Sequence, residues 1–261
     1  MEYSPVAPSI HRLQKLIAAL CTVAVITLAG AAHATLLIDG EDVPRLVSLG
    51  GSCPNCGLAG RHLVGARFVG ANFAGASLAG ADLRGATFHG STFTGADMAK
   101  ADVRGATIQG GNFLLANFSD ARLEGLDAHA VLFISANFSG AAANEADFSS
   151  ANMTHADGRD AHFDGGVLTH AVLVAGRFQR ASFREADLAG ANMAGADFSD
   201  ADLRDTDLAG ATLTGAILAG ANLSGARNLT QHQLDGSCGD GRTRLPSGLS
   251  TRSCGRVRRA P

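Results

Sequence analysis

The sequence predicts an all-β solenoid, on three observations. One bulky apolar residue falls at every fifth position from Leu58 to Leu223, and 31 of these 34 central positions are Leu, Phe, Met, Val or Ile. The residue two places before each centre is usually small, and in 25 units it is alanine. Glycine commonly follows the centre by two places, as at Gly75 and Gly85. Self-similarity at a short fixed period is typical of solenoids.

The five-residue period excludes the regular alternatives. In an α-helix, residues five apart are rotated by about 140°, so the bulky residues would wind around the helix without forming a stripe. In a flat strand, side chains alternate with a period of two, so an odd repeat would send successive bulky residues to opposite faces. The chain must therefore turn a corner in every unit.

Within one unit, a short extended segment directs the centre and the small residue two places before it to the same side. We expect both to face inward and the residue between them to face outward, where Asp82, Asn112 and Asp187 are examples of polar residues. The following glycine suits the corner, because a positive φ carries little steric penalty there.

The unit A-[DN]-[LF]-x-G, seen clearly in Ala81-Asp82-Leu83-Arg84-Gly85, resembles the pentapeptide-repeat family over residues 56–227. The resemblance implies a right-handed quadrilateral β-helix with four repeats in each 20-residue coil. A rod of this kind would be roughly 40 Å long at the usual strand spacing. Phenylalanines at intervals of 20 would stack as a ladder in its core. These are Phe73, Phe93, Phe113 and Phe133.

The composition fits a thin core lined by Leu and Phe over Ala, with 46% hydrophobic residues, 5% aromatic residues, no Trp and 33 Gly. The formal net charge is −3, and residues 58–227 carry 18 acidic and 12 basic residues. A nucleic-acid partner is therefore not expected, since no basic stripe is present.

Residues 1–34 are predicted to be a signal peptide. A basic opening precedes an apolar stretch from Leu16 to Leu28, and Ala32-His33-Ala34 forms an A-x-A cleavage pattern. The signal peptide would direct the chain to the periplasm or the medium and would be removed by cleavage after Ala34. The alternative is an uncleaved membrane anchor, which the short apolar run disfavours.

Four cysteines remain after cleavage, and an even number in an exported chain suggests disulfides. We expect Cys238 to pair with Cys254. Cys53 and Cys56 either form a second disulfide or leave Cys56 as a buried thiol in an inward position. A shared zinc site is excluded if the rod is roughly 40 Å long, because the two pairs flank opposite ends. A Cys-x-x-Cys redox motif is the remaining alternative, although no βαβ pattern surrounds it.

Both flanks are predicted to be short helical caps, residues 35–55 and 228–261. Thr230 and Gln233 have capping-box spacing, Leu229 and Leu234 suit a hydrophobic staple, and Gly236 could end the helix. Pro44 suits the first position of an N-terminal helix. Six arginines from Arg242 to Arg259 form a basic tail that could contact an anionic membrane surface.

The middle of the repeat region is its least regular part, because Ala128, Ala143 and Gly158 are small centres. Underfilled positions there should bulge, bend or draw in neighbouring side chains. The irregularity reflects either repeat drift that the stack tolerates or a functional site. Scattered outward histidines show no ligand spacing, and we expect no cofactor or metal. They are His89, His129, His155, His162 and His170.

Three functions were weighed. The first is a non-enzymatic exported scaffold, a structural or protein-binding module of the cell envelope, either monomeric or an end-to-end dimer. The second is mimicry of duplex DNA. Some cytoplasmic members of the pentapeptide-repeat family, which this chain resembles, bind type II topoisomerases in this way. The third is an enzyme, and a filled rod offers no concave pocket for one.

Overall fold

The computed structural model of the protein describes residues 53–255. Residues in the middle of each unit form parallel β-bridges with residues 20 positions later, from Gly57↔Ser77 without a break to Asp207↔Arg227. Two further bridges, Ile217↔Cys238 and Asn222↔Arg244, are 21 and 22 positions apart. One coil therefore contains 20 residues, or four units, and the predicted β-solenoid is confirmed. The predicted signal peptide, the helix at Pro44 and the last three arginines lie outside the described residues.

The unit from Ala71 to Gly75 illustrates how the backbone is paired. Phe73 N–H donates to Thr92 C=O at 2.7 Å, and Thr92 N–H donates to Ala71 C=O at 2.8 Å. Ala76 N–H donates to Phe73 C=O at 3.0 Å and closes a four-residue turn. Gly75, third in that turn, has φ 67°, which is the conformation that a type II turn requires. Backbone groups therefore pair along the rod, and the corner needs a left-handed residue.

The core is a single column of side chains. The bulky centres and their small partners are almost all less than 9% exposed. Phe73 stacks on Phe93 with ring centroids 4.9 Å apart, and Phe93 stacks on Phe113 at 4.7 Å. Phe133 continues the column at 5.5 Å from Phe113, with its ring tilted by 36°.

Through the irregular region the bridges keep their register, so no residue is bulged out. Ala128 and Ala143 are fully buried. A Cβ atom added to Gly158 would lie 2.5 Å from Phe178 Cδ1 and 3.5 Å from Phe163 Cε2. The Phe178 ring therefore lies where a side chain at this position would be, and the Phe163 ring borders it.

The chain after the repeats forms helix α1, Gln231–Asp235, and two short strands, β1 (Cys238–Gly239) and β2 (Arg252–Ser253), which pair in parallel. Both hydrogen bonds of the capping box between Thr230 and Gln233 are present. The Gln233 side chain also donates to the carbonyls of Leu208 (2.7 Å) and Ala211 (2.9 Å), which ties α1 to the last coils.

Leu234 of α1 is fully buried, and Leu229 packs against the core. Gly236 follows the helix in a right-handed conformation, φ −85°. Within residues 53–255, no helix is both long and apolar enough to cross a membrane.

Candidate interaction surfaces

The outward residues of the solenoid lie in four columns, because each bridges the equivalent residue of the next coil. Two of these surfaces differ sharply in charge. The paired-charge face carries the column from His62 to Asn222 and the turn residues two positions later. The uncharged face carries the column from Asn72 to Thr212 and the turn residues two and three positions later.

The outward Asp and Asn residues close the corners. In 17 units the side-chain oxygen accepts a hydrogen bond from the backbone N–H two residues later. At Asp187, for example, Oδ1 accepts from Ala189 N–H at 3.0 Å. The sequence marked these residues only as polar. Their restriction to Asp and Asn is the pattern that could have identified this role, because both types readily form such turns.

Several of the aspartates also pair with an arginine two residues later. Arg84 donates from Nε to Asp82 Oδ1 at 2.8 Å and from Nη2 to Oδ2 at 2.7 Å. Arg104 makes the same two bonds with Asp102. The Arg84 hydrogen bonds hold the pKa of Asp82 below its ordinary value. Negative charge on this face is therefore matched locally by positive charge.

A shallow open depression lies on the paired-charge face. Its lining residues are Asn144, Glu145, Asp164, Gly165, Arg184 and Glu185. The Asp164 carboxylate accepts hydrogen bonds from the Ser182 hydroxyl and from Arg184 N–H. Asp164 is thus engaged by the protein's own donors, and the lining includes no Ser, Cys, Thr or Lys nucleophile.

Metal ligation finds no support in the part of the chain that the structure describes. No group of three or more His, Cys, Asp or Glu side chains there could hold an ion. The five outward histidines lie on different faces or coils. Only His129 among them has a side-chain hydrogen bond in this part of the molecule, at 2.9 Å from Ser149 Oγ.

The uncharged face is unusual for its lack of ionisable groups. From Asn72 to Gly215 it includes no Asp, Glu, Lys or Arg, and His155 is its one titratable residue. Two of its leucines are among the most exposed large hydrophobic residues of the described chain, Leu115 at 60% and Leu132 at 43%. Sequence analysis did not identify this face, because it becomes visible only when residues 20 apart are aligned.

The four cysteines that the sequence offers as disulfide candidates are joined in two pairs. Cys238 and Cys254 are bonded, with their Cα atoms 4.8 Å apart. Cys53 and Cys56 are bonded as well, at 5.5 Å. Cys56 is also part of the buried core, so it occupies an inward position while bonded.

Two arginines of the basic tail are engaged by the protein itself. Arg242 donates to Asp200 Oδ1 at 2.6 Å and pairs with Asp240. Arg252 donates to the carbonyls of Ser237 and Gly236 at 3.0 and 3.3 Å. Contact of these two side chains with a membrane would therefore compete with bonds inside the protein.

Comparison with known families gives a match to the pentapeptide repeats model, in eight copies. The matched residues are 56–90, 88–125, 96–133, 132–169, 167–205 and 196–238, well over half of the chain. No curated protein matches.

Among solved structures, the chain is similar to HetL of Nostoc, a pentapeptide repeat protein involved in heterocyst differentiation regulation. The identity is 24% and the TM-score 0.33, over 88% of this chain and 97% of HetL. It is also similar to trypsin-treated QnrB1, a plasmid-mediated fluoroquinolone resistance protein, with 20% identity and a TM-score of 0.45 over 74% and 91% of the two chains. A thylakoid lumen protein of Arabidopsis thaliana is 28% identical, with a TM-score of 0.19, over 39% and 60%.

Proposed function

The chain belongs to the pentapeptide-repeat family, and from this premise we propose that it is a non-enzymatic scaffold, exported to the cell envelope, that binds another protein. One observation carries the proposal. The interior is filled by stacked side chains, while the outward residues are held in straight columns by an unbroken ladder. Such a rod presents groups at fixed spacing, which suits binding. It does not converge them around a substrate, as catalysis requires.

Export is supported by the pattern of residues 1–34 and by the two disulfides, which persist in oxidising compartments. The proposal predicts a mature N-terminus at Thr35 in protein purified from the envelope fraction. N-terminal sequencing tests this directly. An intact Met1 on cytoplasmic protein would contradict export without affecting the scaffold itself.

Partner binding can be tested one face at a time. Four successive units offer equivalent turn positions, one on each face. These are Arg104, Gln109, Leu114 and Ser119. A photo-crosslinking amino acid placed at each position in turn, in cells, should label one protein strongly from one face. Equal and weak labelling from all four positions would argue against a specific partner.

The second candidate function is binding of a type II topoisomerase by mimicry of duplex DNA. The excess of acidic over basic residues in the repeats favours it. The Asp–Arg pairs oppose it, because duplex DNA presents a charge about every 1.7 Å without such neutralisation. A gyrase supercoiling assay with purified protein decides between the scaffold function and DNA mimicry. Inhibition that follows protein concentration would support mimicry.

The finer geometry of the rod also forms part of the proposal. We propose a right-handed solenoid with four sides and a helical cap at each end. Right-handed crossovers join about 98% of parallel strands, and each coil has four bridges. A crystal structure showing left-handed winding would overturn it.

A further inference from the structure

The rows of residues on the uncharged face follow a symmetric order about the coil of Asn152. Moving along the rod from this coil in either direction, the same kinds of residue occur in the same order. Each coil contributes one bridge residue and two turn residues to this face, and the order concerns the bridge residue and the first turn residue. In chain order these pairs are Thr92 and Thr94, Asn112 and Leu114, Leu132 and Ile134, Asn152 and Thr154, Val172 and Val174, Asn192 and Ala194, Thr212 and Thr214. Among these seven coils, two-threonine rows are outermost, asparagine rows follow, and aliphatic rows flank the centre. The row of Asn72 and Ala74 lies beyond Thr92 and has no counterpart at the other end.

We propose that this face binds a second copy of the chain, with the two rods antiparallel and a twofold axis crossing the coil of Asn152. A twofold interface uses the same patch on both copies, so the patch must complement itself. The order of rows satisfies that condition. The inference goes beyond the proposed scaffold function and depends neither on export nor on a partner protein.

At the bridge and first turn positions each row meets a row of its own kind, whereas at the second turn position Leu115 lies over the partner's Gly195 and His155 over the partner's His155. Leu132 packs on the partner's Val172, and Asn112 meets the partner's Asn192. Asn152 meets its own copy at the axis, and threonine rows pair at both ends. Apolar surface is thus buried against apolar surface, and amide groups face other amide groups.

The asparagines of this column have hydrogen-bonding capacity to spare. Oδ1 of Asn112, Asn152 and Asn192 each accepts from a backbone N–H of its own corner. Within the described residues, their Nδ2 groups donate to no other protein atom, whereas Asn117 and Asn137 on another face donate to neighbouring coils. Facing asparagines across the twofold axis would give these free donors acceptors.

The opposite orientation fits less well. If the rods were parallel, with the twofold axis along them, each bridge column would face the partner's turn column. Asn112 would then lie on the partner's Leu114, and Asn192 on the partner's Ala194. Burying an amide against an aliphatic side chain without a hydrogen bond is unfavourable. The residues therefore favour the antiparallel dimer.

The absence of charge favours a second copy over a charged partner, because no ion must be desolvated when the two faces meet. The strip is small. Seven coils at about 4.8 Å spacing and three residues of width give roughly 300 Å² of flat area per copy, against about 800 Å² in a standard interface. We therefore expect a weak dimer whose population rises with protein concentration.

The test is charge complementation, read by sedimentation equilibrium. Leu132→Glu and Val172→Arg should each weaken dimerisation by more than about a hundredfold, since the symmetry places two unpaired charges in the interface. The double variant L132E/V172R should dimerise again, because each Glu meets the partner's Arg. Within one chain the two positions are two coils, or about 9.6 Å, apart and do not pair directly.

Val167→Glu is the matched control, because Val167 is 38% exposed but lies in a different column. It should leave dimerisation unchanged, and circular dichroism should be the same for all four variants. A wild-type protein that stays monomeric at every concentration would overturn the proposal. So would a dimer that tolerates L132E, or single variants that the double variant fails to rescue.

Discussion

At the scale of single residues, the outward Asp and Asn side chains are structural parts of the turn. In half of the units the backbone N–H that follows the bulky centre donates to the side chain of the preceding outward Asp or Asn. Asp187 is a clean example, because it accepts from Ala189 N–H and has no ion-pair partner in the described chain. An outward Asp or Asn, which the sequence shows only as a polar residue, therefore has a structural role in closing the turn.

Asp187→Ala should lower the free energy of unfolding by about 0.5–1.5 kcal/mol, the usual value for one lost hydrogen bond. Asp187→Asn keeps the acceptor oxygen and serves as the control, with a loss well below that of the alanine variant. Urea denaturation of the three proteins measures the difference. Equal losses in both variants would show that charge, and not the turn, is what Asp187 provides.

The stability of the protein should depend on the ionisation of Asp240 at low pH. The backbone N–H groups of Arg242 (2.9 Å) and Gly220 (2.8 Å), with the Arg242 guanidinium, lower the pKa of Asp240 to about 2. An aspartate has a pKa of about 3.9 when unfolded, so the stabilisation is fully present above that value and is lost as the pH falls towards 2.

Thermal midpoints measured from neutral pH to pH 2 should therefore fall less steeply for Asp240→Asn than for the wild type between about pH 4 and pH 2. The variant should retain part of the acid dependence, since Asp82 and Asp102 also have lowered pKa values. Identical curves for the two proteins would contradict the assignment.

At the scale of the repeat unit, packing depends on side chains from adjacent coils as much as on the unit itself. Gly158 occupies a central position where Leu or Phe is usual, and the Phe178 ring of the next coil lies where a side chain at Gly158 would begin. Ser91 also departs from the usual pattern, because it stands at an inward position where alanine is usual. It is fully buried at an inward position, and its hydroxyl hydrogen-bonds with Ala71 N–H and Phe68 C=O.

Restoring the usual residue at the Gly158 position should therefore harm the protein. Gly158→Leu places a Cβ atom 2.5 Å from the Phe178 ring and should destabilise it by about 1–3 kcal/mol, as overpacked cores are. The double variant G158L/F178L, which removes the ring, should recover most of the loss. Guanidinium denaturation tests both. A stabilised Gly158→Leu protein would mean that the column has room for a side chain there.

At the scale of the whole described molecule, the end of the ladder needs a cover, since an open strand edge can pair with another chain. After Asn222 the chain supplies α1, β1 and β2, and the Cys238–Cys254 disulfide joins the two strands. Gln233 and Asp240 hydrogen-bond this segment to the preceding coils.

Replacing both Cys238 and Cys254 by Ser should lower the free energy of unfolding by about 2–4 kcal/mol, because the disulfide limits the unfolded chain. The same variant should aggregate more readily on mild heating, as the terminal coil becomes exposed. Calorimetry and light scattering follow the two effects. Replacing Cys53 and Cys56 by Ser is the control at the other end, where the three-residue loop is shorter. Free thiols at Cys238 and Cys254 in untreated protein would contradict the bond.

The surface was harder to predict than the core. The Asp–Arg pairs could have been found from the spacing in Asp82 and Arg84, since neighbouring residues in one corner meet whatever the rest of the chain does. The uncharged face could not be found that way. Leu132 and Val172 are 40 residues apart, and they share a face only because each coil closes after 20 residues.

The sequence by itself determined which side chains face inward, because the alternation of an extended segment and the corner that follows it are local properties of five residues. It therefore determined the solenoid and its thin core of Leu, Phe and Ala. Only the tertiary structure decided which residues become neighbours along the rod, since that depends on pairing between residues 20 apart. The placement of the Phe178 ring against Gly158 and the uncharged face both follow from that non-local pairing.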